Sequence, residues 1–373
     1  MKRVTRNPYA GVDWQTYGRY KAQLHSHTTQ SDGANSPSDL IDRYHAKAFD
    51  ILCISDHDHW GPGVVHPDPP YPQPTWPWTD FGRDPSQLGM LAVKGNEYSL
   101  IDHVNGFFCD LWTQEDVDNG DWDAQNNNMA WILNEIGNRG GLAQANHPGR
   151  YVRSANYWVS LFESFQGHLH SIEVFNQGDK HPEDKERWGT LLTLARSRGE
   201  SFALWGTSVD DAHSSDQIGP NYNVYLMPDL SEASLRTAMA NGAYLFMYDP
   251  EGTSTDRHVN GGNGYWSAAP MVNHIDVSLS RIELDPVRTD SIEWFTDANA
   301  SVGTGEFVDL REDALGTFVR AVLTGDSGAV TYTQPFYLAE GGLIVARIGG
   351  VERAVSQVRS GGAGRSVANI RRP

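Results

Sequence analysis

Tyr20-Lys21-Ala22-Gln23-Leu24-His25-Ser26-His27-Thr28 is the stretch whose reading decides the fold. Tyr20 to His27 reads as a β-strand, and residues two apart on a strand point to the same side, so His25 and His27 leave its end together. Ser31-Asp32-Gly33 follows directly. Ser36-Pro37-Ser38-Asp39 then opens a helix, with Ser36 as N-cap and Pro37 at the first helical position. Leu40, Ile41, Tyr44 and Ala48 supply its apolar face.

The same arrangement recurs outward from there. A second strand, Ile51 to Ser55, ends in Asp56-His57-Asp58-His59. Leu91–Val93 and Val104–Cys109 read as strands flanked by Glu97 and His103. Leu142–Asn146 runs into His147, and Phe202–Gly206 leads to Asp211 and His213. Ser171–Phe175 and Asn223–Leu226 are further strands. Met129–Ile136, Pro182–Arg198 and Ser231–Ala240 are helical, each followed closely by glycine. Strands alternating with helices predict an α/β fold of parallel strands with helices outside. In a barrel of such strands, the C-terminal strand ends meet on one rim. His25, His27, Asp32, His57, Glu97, His103, His147, Asp211 and His213 would then converge. Imidazole and carboxylate are the ligand types for Zn, Mn or Fe. One histidine at a strand end is ordinary; nine ligand-type residues so placed are not. Asp211 is preferred to Asp210 on its Asp-x-His spacing. His45, His66, His168, His170, His258 and His274 read as ordinary polar residues.

From about Met271 the pattern becomes period-two alternation without helices: His274–Leu284, Ser291–Phe295, Thr317–Leu323 and Ala329–Leu338. Three regions are therefore expected: a hydrolase barrel over 1–255, a small antiparallel β-domain over 270–340, and a Gly/Arg-rich, partly disordered tail over 341–373. Tyr248–Trp266 reads as the linker. Trp60–Gly89, rich in proline and aromatics and without period, reads as a lid or wall over the site.

The formal charge is −18, and the tail carries six arginines against one acid, so the body is more acidic than the total. That excludes generic, stable DNA binding. No apolar run is long enough to span a membrane, and the first residues do not read as a signal peptide. Cys53 and Cys109 lie in apolar segments and read as buried free thiols, which fits a cytoplasmic protein. The oligomeric state is not legible.

Taken in order, Leu24-His25-Ser26-His27-Thr28, Ser31-Asp32-Gly33, Ser55-Asp56-His57-Asp58, Glu97, His103, Asn146-His147-Pro148 and Asp211-Ala212-His213 resemble the motifs of the PHP (polymerase and histidinol phosphatase) metallohydrolases. The resemblance spans about Tyr20 to Asp249. It implies a distorted seven-stranded β/α barrel and a site for two to three divalent ions (Zn, Mn or Fe). In that pattern His25, His27, Glu97 and Asp211 surround one ion. Glu97, His103 and His147 hold a second, and Asp32, His57 and His213 a third. The chain departs from the family where Gly206-Thr207-Ser208-Val209 precedes Asp210-Asp211. The region after His213, with Phe318-Val319-Arg320-Ala321 and Thr333-Gln334-Pro335, resembles the carbaryl-hydrolase-like branch.

The expected activity is phosphoester hydrolysis through a metal-bound hydroxide, on a small phosphomonoester or nucleotide. His25, His27, Glu97 and Asp211 are the catalytic core, and Arg150 is a candidate phosphate clamp. His59 and His181 are candidate proton donors, and Asp56 and Asp58 orient ligands. Carbamate or carboxylic-ester hydrolysis is the alternative, ahead of a non-catalytic binding module.

Overall fold

The computed structural model describes residues 1–58, 75–99, 102–110, 129–251, 269–325, 328–341, 344–348, 351–355 and 370–371. The chain is mixed α/β with several sheets. The first strands are β1 (Lys2–Arg6), β2 (Gly18–Gln23), β3 (Ile51–Cys53), β4 (Leu91–Val93), β5 (Gly95–Tyr98) and β6 (Val104–Phe107). β7 (Leu142–Ala145), β8 (Leu169–Asn176), β9 (Trp205–Val209), β10 (Asn221–Met227) and β11 (Tyr244–Tyr248) follow.

Two sheets carry this region. One contains β10-β2-β3-β4 and the other runs β5-β6-β7-β8-β9. β2, β3 and β4 are parallel, as are β7, β8 and β9. β6 is antiparallel to both neighbours. The strands are therefore not all parallel, although their alternation with helices predicts it, and β10 likewise runs antiparallel to β2. β5 and β6 are joined by a connection of only a few residues, too short for the crossover a parallel pair requires. Beyond the strand ends, parallel bridges pair Ser26 with Ala212 and His57 with Glu97, so the chain after β2 meets the chain after β9, and the chain after β3 meets β5.

Helices cover the sheets as their apolar spacing predicts. Ser36 caps Pro37–Ala46 by accepting from the Asp39 amide, a bond whose loss typically costs about 1 kcal/mol. In Glu183–Ser197, Trp188, Leu191, Leu192 and Ala195 form one buried stripe. Trp188 Nε1 donates to the Leu204 carbonyl, tying that helix to the approach to β9. Ala155–Ser164 is a further helix, capped by Ser154, that the sequence reading missed.

The later strands are β12 (Met271–Val277), β13 (Arg281–Val287), β14 (Ser291–Phe295), β15 (Ser301–Thr304), β16 (Phe307–Asp309), β17 (Phe318–Thr324), β18 (Val330–Tyr332) and β19 (Phe336–Glu340). They pair antiparallel. β12, β13 and β16 form a small sheet, whereas β18 pairs with β11, joining β17, β19 and β1 to the sheet of β2 and β10. In the tail, Ile344–Ile348, Val351–Val355 and Ile370–Arg371 form a three-stranded sheet.

Residues 60–74 of the lid expected over Trp60–Gly89 lie outside the described residues, as does most of the linker. The remainder is not irregular. Trp78–Phe81 is a 3-10 turn and Pro85–Leu88 a short helix. Trp78 is buried in the same cluster as Leu40, Ile41 and Tyr44, so this part is core rather than cover. Cys53 and Cys109 are free and buried. Among the described residues, no helix is long and apolar enough to cross a membrane.

Candidate metal centre

All nine candidate ligands stand in one contiguous cluster. His25 and His27 follow β2, and His57 follows β3. Glu97 lies in β5, His103 precedes β6, His147 follows β7, and Asp211 and His213 follow β9. The reversal of β6 explains how His103 joins them: its N-terminal end lies beside the C-terminal ends of its neighbours. His25, His27, Glu97, His147 and Asp211 are buried, while Asp32, His57, His103 and His213 are part-exposed toward solvent.

The inner atoms are closely and evenly spaced. His25 Nε2, His27 Nε2 and Asp211 Oδ1 form a triangle with every edge 3.2 Å. Glu97 adds Oε1 at 3.2 Å from His25 Nε2 and Oε2 at 3.3 Å from His27 Nε2. The same carboxylate reaches His103 Nδ1 at 3.0 Å, His147 Nε2 at 3.4 Å and His57 Nδ1 at 3.2 Å. Farther out, Asp32 Oδ2 lies 3.5 Å from His57 Nε2 and 3.3 Å from His213 Nε2.

These residues fit divalent ions. Ligands bound at about 2.0–2.1 Å in a tetrahedral site stand about 3.3–3.4 Å apart, close to the observed edges. Among the described residues His57 Nδ1 is buried without a hydrogen-bond partner despite the nearby Glu97 oxygen, the relation of two donors that share a cation. Three groupings emerge: His25, His27 and Asp211; His25, Glu97 and His147; and His27, Asp32, His57 and His213.

The imidazoles and carboxylates of this cluster are strongly coupled electrostatically. Burial opposes the charged form of His25, but Asp211, Glu97 and Glu173 outweigh it and hold its pKa well above the usual value. His27, equally buried but bonded to Asp211 and Glu97, is pushed up to about 10. Glu97 and Asp211 are held well below the carboxylate range by the histidines, against desolvation. Asp32 is lowered by His213 and His57, again against desolvation.

The backbone is shaped for this cluster. His147 (φ +27°) and Asp211 (φ +45°) occupy positive-φ conformations, which cost about 1–3 kcal/mol each and persist only when neighbours enforce them. The Asp211 amide donates to the His25 carbonyl, and the His27 amide to the Ala212 carbonyl. The Thr28–Gly33 turn needs its glycine, since a Cβ at Gly33 would come 2.4 Å from the His27 carbonyl oxygen.

Asp56 faces the turn rather than the histidines. It accepts from the Thr28 amide and hydroxyl, the Ser31 hydroxyl and the Thr75 hydroxyl. Asp58 accepts from the Ser99 amide. Asp210 is turned away, accepting from Tyr44, Gly219 and Asn221. β9 runs to Val209, farther than the sequence reading placed it, and so puts Asp211 at the rim. Its Gly206 is enforced by the Phe246 ring, 2.7 Å from where a Cβ would sit.

Arg150 stands on the rim, its Nη2 held by Asn176 Oδ1 at 2.6 Å and Asp211 Oδ2 at 3.3 Å. His181 pairs with Glu183 at 3.5 Å, and His59 lies outside the described residues. His168 bonds the Leu133 carbonyl and His274 packs on Trp14, consistent with ordinary polar roles. His66 and His258 are also outside the described residues.

Sequence reasoning missed Glu173, Asn176 and Tyr151. Tyr151 Oη accepts from the His103 amide at 3.0 Å and lies 3.1 Å from His147 Nδ1. It also missed Asp184, which accepts from the Gly149 amide and whose second oxygen has no hydrogen-bond partner among the described residues. Burial pushes the Asp184 pKa up to about 8. The folded chain keeps a proton there that the unfolded chain releases near 4, so stability falls as pH rises from about 4 to about 8. Asp184→Asn keeps the acceptor and removes the titration. Its melting temperature relative to the parent is expected to climb from about pH 5 to about pH 8. A pH-independent difference would mean that Asp184 does not titrate in this window.

No family model matches the chain, and no curated protein matches it significantly. Solved structures do resemble it. A two-domain protein containing a predicted PHP-like metal-dependent phosphoesterase from Bacteroides vulgatus aligns over 89% of this chain and 98% of its own, with 14% identity and a TM-score of 0.49. An amidohydrolase from Chromobacterium violaceum with bound sulfate aligns over 59% and 96%, at 18% identity and a TM-score of 0.37. The lesion-specific endonuclease EndoQ from Pyrococcus furiosus aligns over 61% and 57%, at 13% identity and a TM-score of 0.36. The chemistry assigned below therefore rests on the side chains of the site.

Proposed function

We infer that the chain is a metal-dependent hydrolase of the PHP type, acting on phosphate esters. The observation that carries this reading is the 3.2 Å triangle of His25, His27 and Asp211 with Glu97 beside it. β2, β3 and β5 to β9, linked through the Ser26–Ala212 and His57–Glu97 bridges, are read as the distorted seven-stranded barrel that holds it.

His25, His27, Glu97 and Asp211 would hold one divalent ion (Zn, Mn or Fe), Glu97, His103 and His147 a second, and Asp32, His57 and His213 a third. Such ions supply Lewis acidity, lowering the pKa of water toward neutrality and offsetting charge on an ester's oxygens. The chain's own groups do the rest. Glu97 joins the inner positions, and part-exposed Asp32, His57, His103 and His213 mark the face open to substrate. Arg150 places a guanidinium at that face, geometrically suited to a phosphate.

The Arg150 guanidinium beside this part-exposed face favours an anionic substrate. A small phosphomonoester or nucleotide is thus the proposed substrate. The free thiols fit a cytoplasmic setting.

Carbamate or carboxylic-ester hydrolysis is the second reading, favoured by one observation: Arg150 is already engaged by Asn176 and Asp211. A panel of aryl phosphates, nucleotides, aryl carbamates and acetates, tested on protein loaded with Zn or Mn, separates the two. Phosphate esters are expected to turn over fastest, and chelation to abolish the activity. Carbamates or acetates outpacing every phosphate ester would transfer the assignment to the second reading.

A further inference from the structure

We propose that Glu173 is the positioning residue of the centre: its carboxylate fixes which nitrogen of His25 faces the metal positions and locks the strained backbone of His147. The proposal rests on the metal-centre reading above. Glu173 sits in the middle of β8, fully buried and flanked along the strand by Ile172 and Val174. A buried carboxylate must be compensated, and here the compensation is complete. Oε1 lies 2.7 Å from His25 Nδ1 and accepts from Gln144 Nε2 at 3.0 Å. Oε2 accepts from the His147 amide at 2.8 Å and from Asn176 Nδ2 at 2.9 Å.

Four donors thus converge on one acceptor-only group, the full capacity of an ionised carboxylate. That has two consequences. The His25 proton must reside on Nδ1, which leaves the Nε2 lone pair aimed at Glu97, Asp211 and His27. A hydrogen bond of this kind sets the tautomer and raises the basicity of a ligating imidazole. The bond to the His147 amide also holds that residue in its positive-φ conformation, where its ring reaches Glu97. Two ligands from different strands are therefore set by one side chain that need touch neither metal nor substrate.

Glu173→Gln tests this, because an amide cannot accept all four bonds and would turn its own NH2 toward two of the donors. Metal affinity is measured on folded parent and variant by chelator competition with Zn. The expected loss is about 10–100-fold, the usual scale for removing a carboxylate behind a ligating histidine. Glu173→Asp, which keeps the charge, is expected to recover part of it. Imidazole nitrogen NMR on the Zn-loaded parent supplies a readout independent of any variant's folding: His25 should carry its proton on Nδ1 and its metal on Nε2. Unchanged affinity in folded Glu173→Gln, or metal on Nδ1 of His25 in the parent, overturns the proposal while leaving the metal centre standing. A parent that binds no Zn overturns both.

Discussion

Glu97→Gln is expected to lose at least one equivalent of bound metal and at least about 10²–10³-fold in turnover, no less than the loss of one oxyanion-hole donor. Glu97 is the hub of the centre: its two oxygens lie within 3.4 Å of five imidazole nitrogens, from His25, His27, His57, His103 and His147. An amide keeps the shape but removes the charge, and it points N–H groups at nitrogens whose lone pairs are needed for metal. The histidines would then lack the carboxylate that links the inner positions to the His57 side. Metal analysis of the folded variant, with near-UV circular dichroism as the control, gives the result. Parent-like metal content together with parent-like turnover would remove Glu97 from the centre.

Asp56→Ala is expected to have the largest effect on stability. Its carboxylate collects four donors from Thr28, Ser31 and Thr75 and is itself buried. Each buried donor left without an acceptor costs about 1–3 kcal/mol, although the hydroxyls can turn elsewhere. A net loss of about 3 kcal/mol follows, or roughly 4 °C in melting temperature for a chain of this size. Asp32 rides on the same turn, so metal bound with His57 and His213 should weaken as well. Asp56→Asn retains one accepting oxygen and should lose less. If Asp56→Ala melts within a degree of the parent and binds the same metal, the turn is held by something else.

Much of this centre is legible in the sequence because strand ends are legible. An apolar run followed by histidine or aspartate fixes both the strand and the direction in which the ligand leaves it, as at His25-Ser26-His27 and Asp56-His57. The helix over Pro37–Ala46 is equally readable from Ser36, Pro37 and the spacing of Leu40, Ile41 and Tyr44. The strand over Trp205–Val209 was placed too early because Gly206, Thr207 and Ser208 are small and polar. They are strand residues for packing reasons: Thr207 Oγ1 bonds the Ile172 carbonyl and Ser208 Oγ the Met247 carbonyl.

Other features depend on partners far away in the chain. The pairing of β18 with β11 draws the later strands into the sheet of β2, and no local pattern encodes it. The reversal of β6 follows from a short connection that the sequence reading passed over. Glu173 gave a usable signal, a charge inside Ile172-Glu173-Val174-Phe175, where a buried strand demands compensation. Ser154 ahead of Ala155–Ser164 was likewise a readable cap. Arg150 was found from its place after His147, but its engagement with Asn176 and Asp211 is a fact of three dimensions.

The most direct measurement is the metal content of the purified chain by elemental analysis, before and after exposure to excess Zn or Mn and removal of the unbound ions. Two to three equivalents of divalent transition metal per chain are predicted, falling in Glu97→Gln. A chain that carries none as purified and retains none after loading would contradict the account at its centre.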